Sequence, residues 1–180
     1  MRINSISNMS FGSIQIQKSK MDWQQRGASE RLARTIEYTD KYNDLTEQGS
    51  DIDIYILPKK NDLEIRLMDV YSGNFIKNKK GKMLNTVMNV WMNDGYEKAT
   101  DRTLNLYEKV VEGKISRPDG DFISEDSDMY KINPRKAKKD ISHIKKSTKE
   151  LMEDLEISKD EAKEIVFDSY ISINNDVNFF

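Results

Sequence analysis

The stretch Asp51–Tyr71, DIDIYILPKKNDLEIRLMDVY, decides the fold. Ile52, Ile54 and Ile56 alternate with Asp53 and Tyr55; Leu63, Ile65 and Leu67 alternate with Glu64 and Arg66. A strand turns successive side chains to opposite faces, so each aliphatic row lines one face. Pro58 to Asp62, between the rows, is rich in turn formers. The pattern predicts a β-hairpin with one buried face. An isolated hairpin is marginal in water, so helices must cover that face.

On its N-terminal side, Ala28, Leu32, Ile36, Thr39, Tyr42 and Leu45 recur at helical spacing. They predict one long helix over 22–48, with Asp22 as its cap. Ser13 to Gln17 alternates and offers an edge strand; residues 1–20 otherwise read as a flexible segment. On the C-terminal side, Ser72-Gly73-Asn74 marks a turn and Phe75-Ile76-Lys77 offers a third short strand. Asn78 to Lys82 is a basic loop. Leu84, Val87, Met88 and Trp91, then Tyr96, Ala99, Thr103, Tyr107 and Val110, predict a helical middle over 82–112, interrupted at Asn93-Asp94-Gly95.

Asp119, Asp121, Glu125, Asp126 and Asp128 make 114–132 an acidic loop. Beyond it, Asn133 suits a helix N-cap and Pro134 the first helical position. Ala137, Ile141, Ile144, Thr148, Leu151 and Leu155 follow as a heptad seam. Ser158 and Glu161 form a capping box for a last helix, the seam's expected partner. The fold expected is therefore α+β: a long N-terminal helix, a two- or three-stranded antiparallel meander, a helical middle and a C-terminal αα-hairpin. The divisions expected are 1–20 flexible, 21–113 core, 114–132 linker and 133–180 helical hairpin.

Of 180 residues, 29 are Lys or Arg and 31 are Asp or Glu, a net charge of −2. Neither a polyanionic nor a polycationic partner follows from that balance. With 33% charged residues and a mean hydropathy of −0.77, the core must be thin and the helices one-sided. No cysteine is present, which excludes disulfides, thiol catalysis and cysteine-ligated metals. No apolar run approaches the length of a transmembrane helix, and the N-terminus lacks the pattern of a signal peptide. A cytoplasmic protein without membrane contact is expected.

Gly49-Ser50-Asp51-Ile52-Asp53-Ile54 resembles the carboxylate-bearing strand of the nucleotidyltransferase superfamily. The resemblance implies that Asp51 and Asp53, on one face, hold a divalent metal for nucleotidyl transfer, with Asp69 as a third carboxylate. The superfamily also has a Gly-Ser turn roughly ten residues earlier, in a phosphate-binding loop; here that place, Tyr38 to Asp44, falls in a predicted helix. The other reading of Asp51 and Asp53 is as solvent-facing positions of an amphipathic strand.

Residues 131–149 carry Lys131, Arg135, Lys136, Lys138, Lys139, Lys145, Lys146 and Lys149 against Asp140 alone. A basic stripe on a helix suits phosphate contacts; it also suits a solvated face, with Lys146–Glu150 and Lys149–Glu153 as pairs four residues apart. Thr148 to Ser169 has the outline of a helix-turn-helix, but its second helix opens Lys159-Asp160-Glu161 and would be repelled by phosphates. His143, the single histidine, lies off the seam. Asp119-Gly120-Asp121 fails the calcium-loop pattern, with Ser124 and Tyr130 where Gly and Glu belong.

The reading preferred from sequence is a non-enzymatic adaptor acting through an unidentified protein partner, with no cofactor and no metal. Its surface is the αα-hairpin, an edge strand or Phe179-Phe180. Nucleic-acid or other anionic-ligand binding through 131–149 stands second. A divergent nucleotidyltransferase-like enzyme using Asp51 and Asp53 stands third.

Overall fold

The computed structural model describes residues 12–48, 51–120, 124–173 and 178–179. Strand β1 (Ile14–Ile16) leads through helices α1 (Trp23–Glu37) and α2 (Asp40–Gln48) to β2 (Ile52–Lys59). Then come β3 (Asp62–Asp69), β4 (Asn74–Phe75) and β5 (Asn85–Asn89). Helices α3 (Gly95–Val111), α4 (Asp128–Ile132), α5 (Pro134–Leu155) and α6 (Lys159–Ile173) follow, and β6 (Asn178–Phe179) returns to the sheet. The fold is mixed α+β. None of the described helices is long and apolar enough to cross a membrane.

The hairpin is β2–β3, antiparallel from Ile52↔Asp69 to Lys59↔Asp62. It sits inside a six-stranded sheet of order β4-β3-β2-β1-β6, with β5 also on β3. β1 runs parallel to β2, Ile14 beside Ile54 and Ile16 beside Ile56. Parallel neighbours need a crossover, and α1–α2 supplies it. Residues 14–16 are thus an interior strand rather than part of a flexible segment; residues 1–11, Gly49-Ser50 and Phe180 lie outside the described residues.

Both faces of the hairpin are buried, not one. Ile52, Ile54, Ile56, Leu63, Ile65 and Leu67 pack with α1, α2 and α3. Tyr55, Leu57, Met68 and Phe75 pack on the other side with Met129 of α4 and Ala137 of α5. Each fully buried aliphatic side chain contributes about 1.5–3 kcal/mol, so the two rows of the hairpin anchor both helical layers. Tyr55 escapes the polar face by meeting Phe75 edge-on, 5.6 Å between centroids.

Two further expectations are corrected. The long helix of 22–48 is two helices. Asp22 and Gln25 form a capping box at the start of α1. At its end the Thr39 hydroxyl donates to the Ile36 carbonyl and accepts from the Tyr42 N–H, which starts α2 afresh. The helical middle holds only from Gly95 onward. Before it, Thr86 and Met88 point inward while Asn85, Val87 and Asn89 are exposed, the two-residue period of β5.

The C-terminal hairpin has the expected caps: Asn133 accepts from the Lys136 N–H, and Ser158 with Glu161 forms the box before α6. Its seam is shared. Ala137 meets the sheet cluster, while Ile144 packs with Val166 and Phe167 of α6 against Val70, Tyr71 and Leu151. Leu155 and Ile165 are left exposed.

At the β1–β2 contact, a Cβ on Gly12 would lie 2.2 Å from the Ile52 carbonyl oxygen and 2.6 Å from the Tyr107 hydroxyl. Gly12→Ala should therefore destabilise by at least about 2 kcal/mol, seen as a fall in Tm. Gly27, on α1, has nothing within 4 Å of its Cβ position. Gly27→Ala should raise stability by about 0.5–1 kcal/mol. Equal effects of the two substitutions would refute this account of the contact.

Candidate functional site

The β4–β5 edge carries an insertion. Three residues of β3, Met68 to Arg66, face eleven of the neighbouring strand, Phe75 to Asn85. The eight extra residues fold out as a finger closed by the Lys77↔Met83 bridge. Asn78 organises its tip. Its side-chain oxygen accepts the N–H groups of Lys80 and Lys82, both at 2.9 Å, and its carbonyl accepts from Gly81 at 2.8 Å. Gly81 takes a φ of 73°, which a side chain would disfavour. Lys77, Lys79, Lys80 and Lys82 are therefore carried on an ordered turn; among the described residues, Lys79, Lys80 and Lys82 have no carboxylate at ion-pair distance.

Facing the finger is the segment after α3. Gly113 ends that helix in the left-handed region, φ 72°, and the Ile115 N–H closes back on the Lys109 carbonyl at 3.0 Å. Arg117 then anchors the segment to the sheet: it pairs with Asp51 and lies 3.7 Å from Asp69. Between finger and segment lies a cleft of about 610 Å³. Four cations line it, Lys77, Lys79, Lys114 and Arg117, against one acid, Asp119. Asn74, Asn78 and Ser116 add amide and hydroxyl groups; Phe75, Ile115 and Pro118 give it apolar wall. Lys114 is also held by Glu112 at 2.6 Å. That hydrogen bond and charge raise the lysine's pKa and keep it protonated.

Of the sequence-derived carboxylates, Asp51 and Asp69 meet at Arg117 beside this cleft, while Asp53 is bonded to Ser13. Asp53 accepts from the Ser13 N–H at 2.9 Å and the Ser13 hydroxyl at 2.7 Å. Ser13 in turn accepts from the Gln15 amide. Asp53 is thus a tie between β1 and β2, not a solvent-facing ornament. Burial raises its pKa; the Ser13 bonds and the charge of Lys136 oppose that, and Asp51 adds to it. Asp51 is held by Arg117. Asp69 is in register with Ile52, hence on the opposite sheet face from Asp53, and it shares Arg117 with Asp51. Its carboxylate accepts the Ser72 N–H at 2.7 Å, and burial raises its pKa too. Among the described residues, no three His, Cys, Asp or Glu side chains form a group able to hold a metal ion.

The basic helix is α5. Lys136 pairs with buried Asp140 at 2.8 Å, and Lys146–Glu150 and Lys149–Glu153 are the surface pairs the spacing predicts, each at 3.7 Å. Arg135, Lys138, Lys139 and Lys145 are exposed, as is His143. From the sequence, Asn78 to Lys82 reads as a basic loop and 114–132 as an acidic one. The missed signal was the pairing of Lys114 and Arg117 with that lysine run, which is a tertiary fact.

Comparison with protein-family models, with curated proteins and with solved structures finds no match for this chain.

The raised pKa of Asp53 has a consequence for stability. A carboxyl harder to ionise folded than unfolded holds its proton longer in the fold, so its contribution is full at acid pH. It is lost as pH rises through the folded value. Asp53→Asn keeps an oxygen for Ser13 and removes the buried charge. The variant should melt higher than the parent at neutral pH and converge with it in acid. A lower Tm at neutral pH would contradict this.

Proposed function

We propose that this chain is a non-enzymatic binding protein that takes an anionic ligand in the cleft between the lysine finger and the Lys114–Asp119 segment. One observation carries the reading: four cations from two separate segments line one concavity that holds a single acid. Their partners leave them donors to spare. Lys77 reaches Asp128 only at 3.9 Å, and Lys79 projects from the ordered tip. Lysine ammonium groups on such a frame suit phosphate oxygens, which accept several charge-assisted hydrogen bonds at once. The apolar wall of Ile115 and Pro118 suits a ligand with a flat or hydrophobic body beside its phosphate. The anion site read from sequence was α5; the cleft supports the same chemistry better, because concavity adds what an exposed stripe lacks.

A second reading is contact with a protein partner. It is favoured by Trp91, 66% exposed, with Met92 and Val87 also exposed at the β5 end of the sheet. Large exposed apolar groups of this kind mark contact surfaces. For this reading the surface is β5 and its turn rather than the αα-hairpin, whose seam from Ala137 to Leu151 packs on the sheet and α6. A partner captured by the parent should be lost on Trp91→Ser with Met92→Ser; equal capture by both ends it.

For the cleft, thermal shift and calorimetric titration with a nucleoside monophosphate are the test. Ligand at a hundred times its Kd should stabilise the chain by about 2.7 kcal/mol. Lys79→Glu with Lys114→Glu, both exposed positions, should abolish the shift and leave the ligand-free Tm within a degree or two, about 0.5 kcal/mol. No shift in the parent, or an undiminished one in the double variant, overturns the reading.

A further inference from the structure

The cleft does not end at the finger. Lys77 and Lys131 both approach the carboxylate of Asp128, at 3.9 and 3.5 Å. Asp128 is itself fixed, because it accepts the Phe75 N–H at 3.1 Å and donates its own N–H to the Asn74 side chain at 3.1 Å. One anchored acid therefore brings a finger lysine and an α4 lysine together. Next to Lys131, the ring of Tyr130 carries the Lys138 ammonium 5.9 Å from its centroid. From Lys138 the stripe continues along α5: Arg135, Lys138, Ser142 and Lys145 recur at three- and four-residue steps, all exposed. Lys138 to Lys145 covers about 10 Å of helix. The acids near this line are accounted for. Asp128 is bonded to the sheet edge and Asp140 to Lys136, while Glu125 and Asp126 precede α4 and are exposed.

We infer that the anionic ligand is a single strand of nucleic acid, with one nucleotide seated in the cleft and the flanking phosphates following Lys77, Lys131, Lys138 and Lys145 along α4 and α5. This rests on the reading of the cleft as an anion site. A strand fits the arrangement where a small ligand does not, because the cations beyond the cleft, Lys131, Lys138 and Lys145, lie in an exposed row. A backbone with a charge at every residue neutralises such a row. The single-stranded form follows from the cleft. Its apolar wall receives a base only if that base is unpaired, as in other grooves where bases stack while lysines track the backbone. The net charge of −2 does not oppose this, since charge is segregated within the C-terminal hairpin, with the basic residues in 131–149 and eight acids in 150–168. Residues 150–168 carry Glu150, Glu153, Asp154 and Glu156 and then the acids of α6.

The experiment compares fluorescence-anisotropy titrations of the full chain with a labelled oligothymidylate, with the same length of duplex, and with thymidine monophosphate. The variants are Lys138→Glu with Lys145→Glu on α5, and Lys79→Glu with Lys114→Glu in the cleft. The α5 variant should lose about tenfold or more in affinity for the strand and flatten its salt dependence by roughly 0.7 in slope per lost contact. Its affinity for the monophosphate should not change. The cleft variant should lose both ligands. If the α5 variant binds the strand as the parent does, or if duplex binds as tightly as single strand, the strand path is wrong while the cleft reading survives. If the parent binds neither strand nor monophosphate, the cleft reading itself falls.

Discussion

Everything in this molecule depends on how closely β1 can approach β2. The two strands run parallel, and at their start the Ile54 N–H reaches the Ser13 carbonyl at 2.9 Å. Gly12 makes that approach possible by having no side chain to meet the Ile52 carbonyl. Two tyrosines from different helices then secure the place: Tyr42 of α2 donates to the Gly12 carbonyl at 2.7 Å, and Tyr107 of α3 to the Ile52 carbonyl at 3.2 Å. On the opposite face Ser13 donates to Asp53. A three-residue strand contributes few ladder bonds of its own. These side-chain ties make up the difference and fix α2 and α3 over one face of the sheet.

The other face shows the same principle with a different remedy. Gln15 and Gln17 are buried there beside aliphatic and aromatic groups. Gln17 donates to the carbonyl of Ile132 at 3.3 Å, so the end of α4 is bonded to β1. Gln15 donates to Ser13, but its amide oxygen is buried with no hydrogen-bond partner among the described residues. A polar row on an interior strand therefore selects its covering layer by hydrogen bonds as well as by area. That layer, α4 with the first half of α5, brings Lys131 and Lys138 to the same side as the finger.

Much of the frame was legible in the sequence because it is written locally. The period of two in Ile52–Leu67, the Asp22 cap, Asn133-Pro134 and the Ser158–Glu161 box each specify structure within a few residues. The errors came where a local pattern had two solutions. Leu84, Val87, Met88 and Trp91 satisfy the helical spacing, yet Asn85 to Asn89 is a strand, since pairing with β3 buries Thr86 and Met88 together. The break between α1 and α2 rests on one hydroxyl, Thr39, inside an unbroken apolar stripe. The candidate carboxylates were visible as residues; their partners were not. Ser13 lies 40 residues from Asp53 and Arg117 lies 66 from Asp51, and no spacing rule spans such separations. The cleft was hidden for the same reason, its two walls being far apart in sequence.

The finger departs from the sheet and rejoins it without disturbing the register on either side. β4 and β5 each pair with β3 as though the intervening residues did not exist. Few backbone bonds of the sheet pass through it, and its tip is closed by its own asparagine. Its length and its lysines can therefore change over evolutionary time at little expense to folding. Relatives of this chain would share the scaffold while differing in the length and side chains of the finger. The finger is a replaceable part bolted to an edge, and its drift is uncoupled from the glycine and tyrosines that hold the frame.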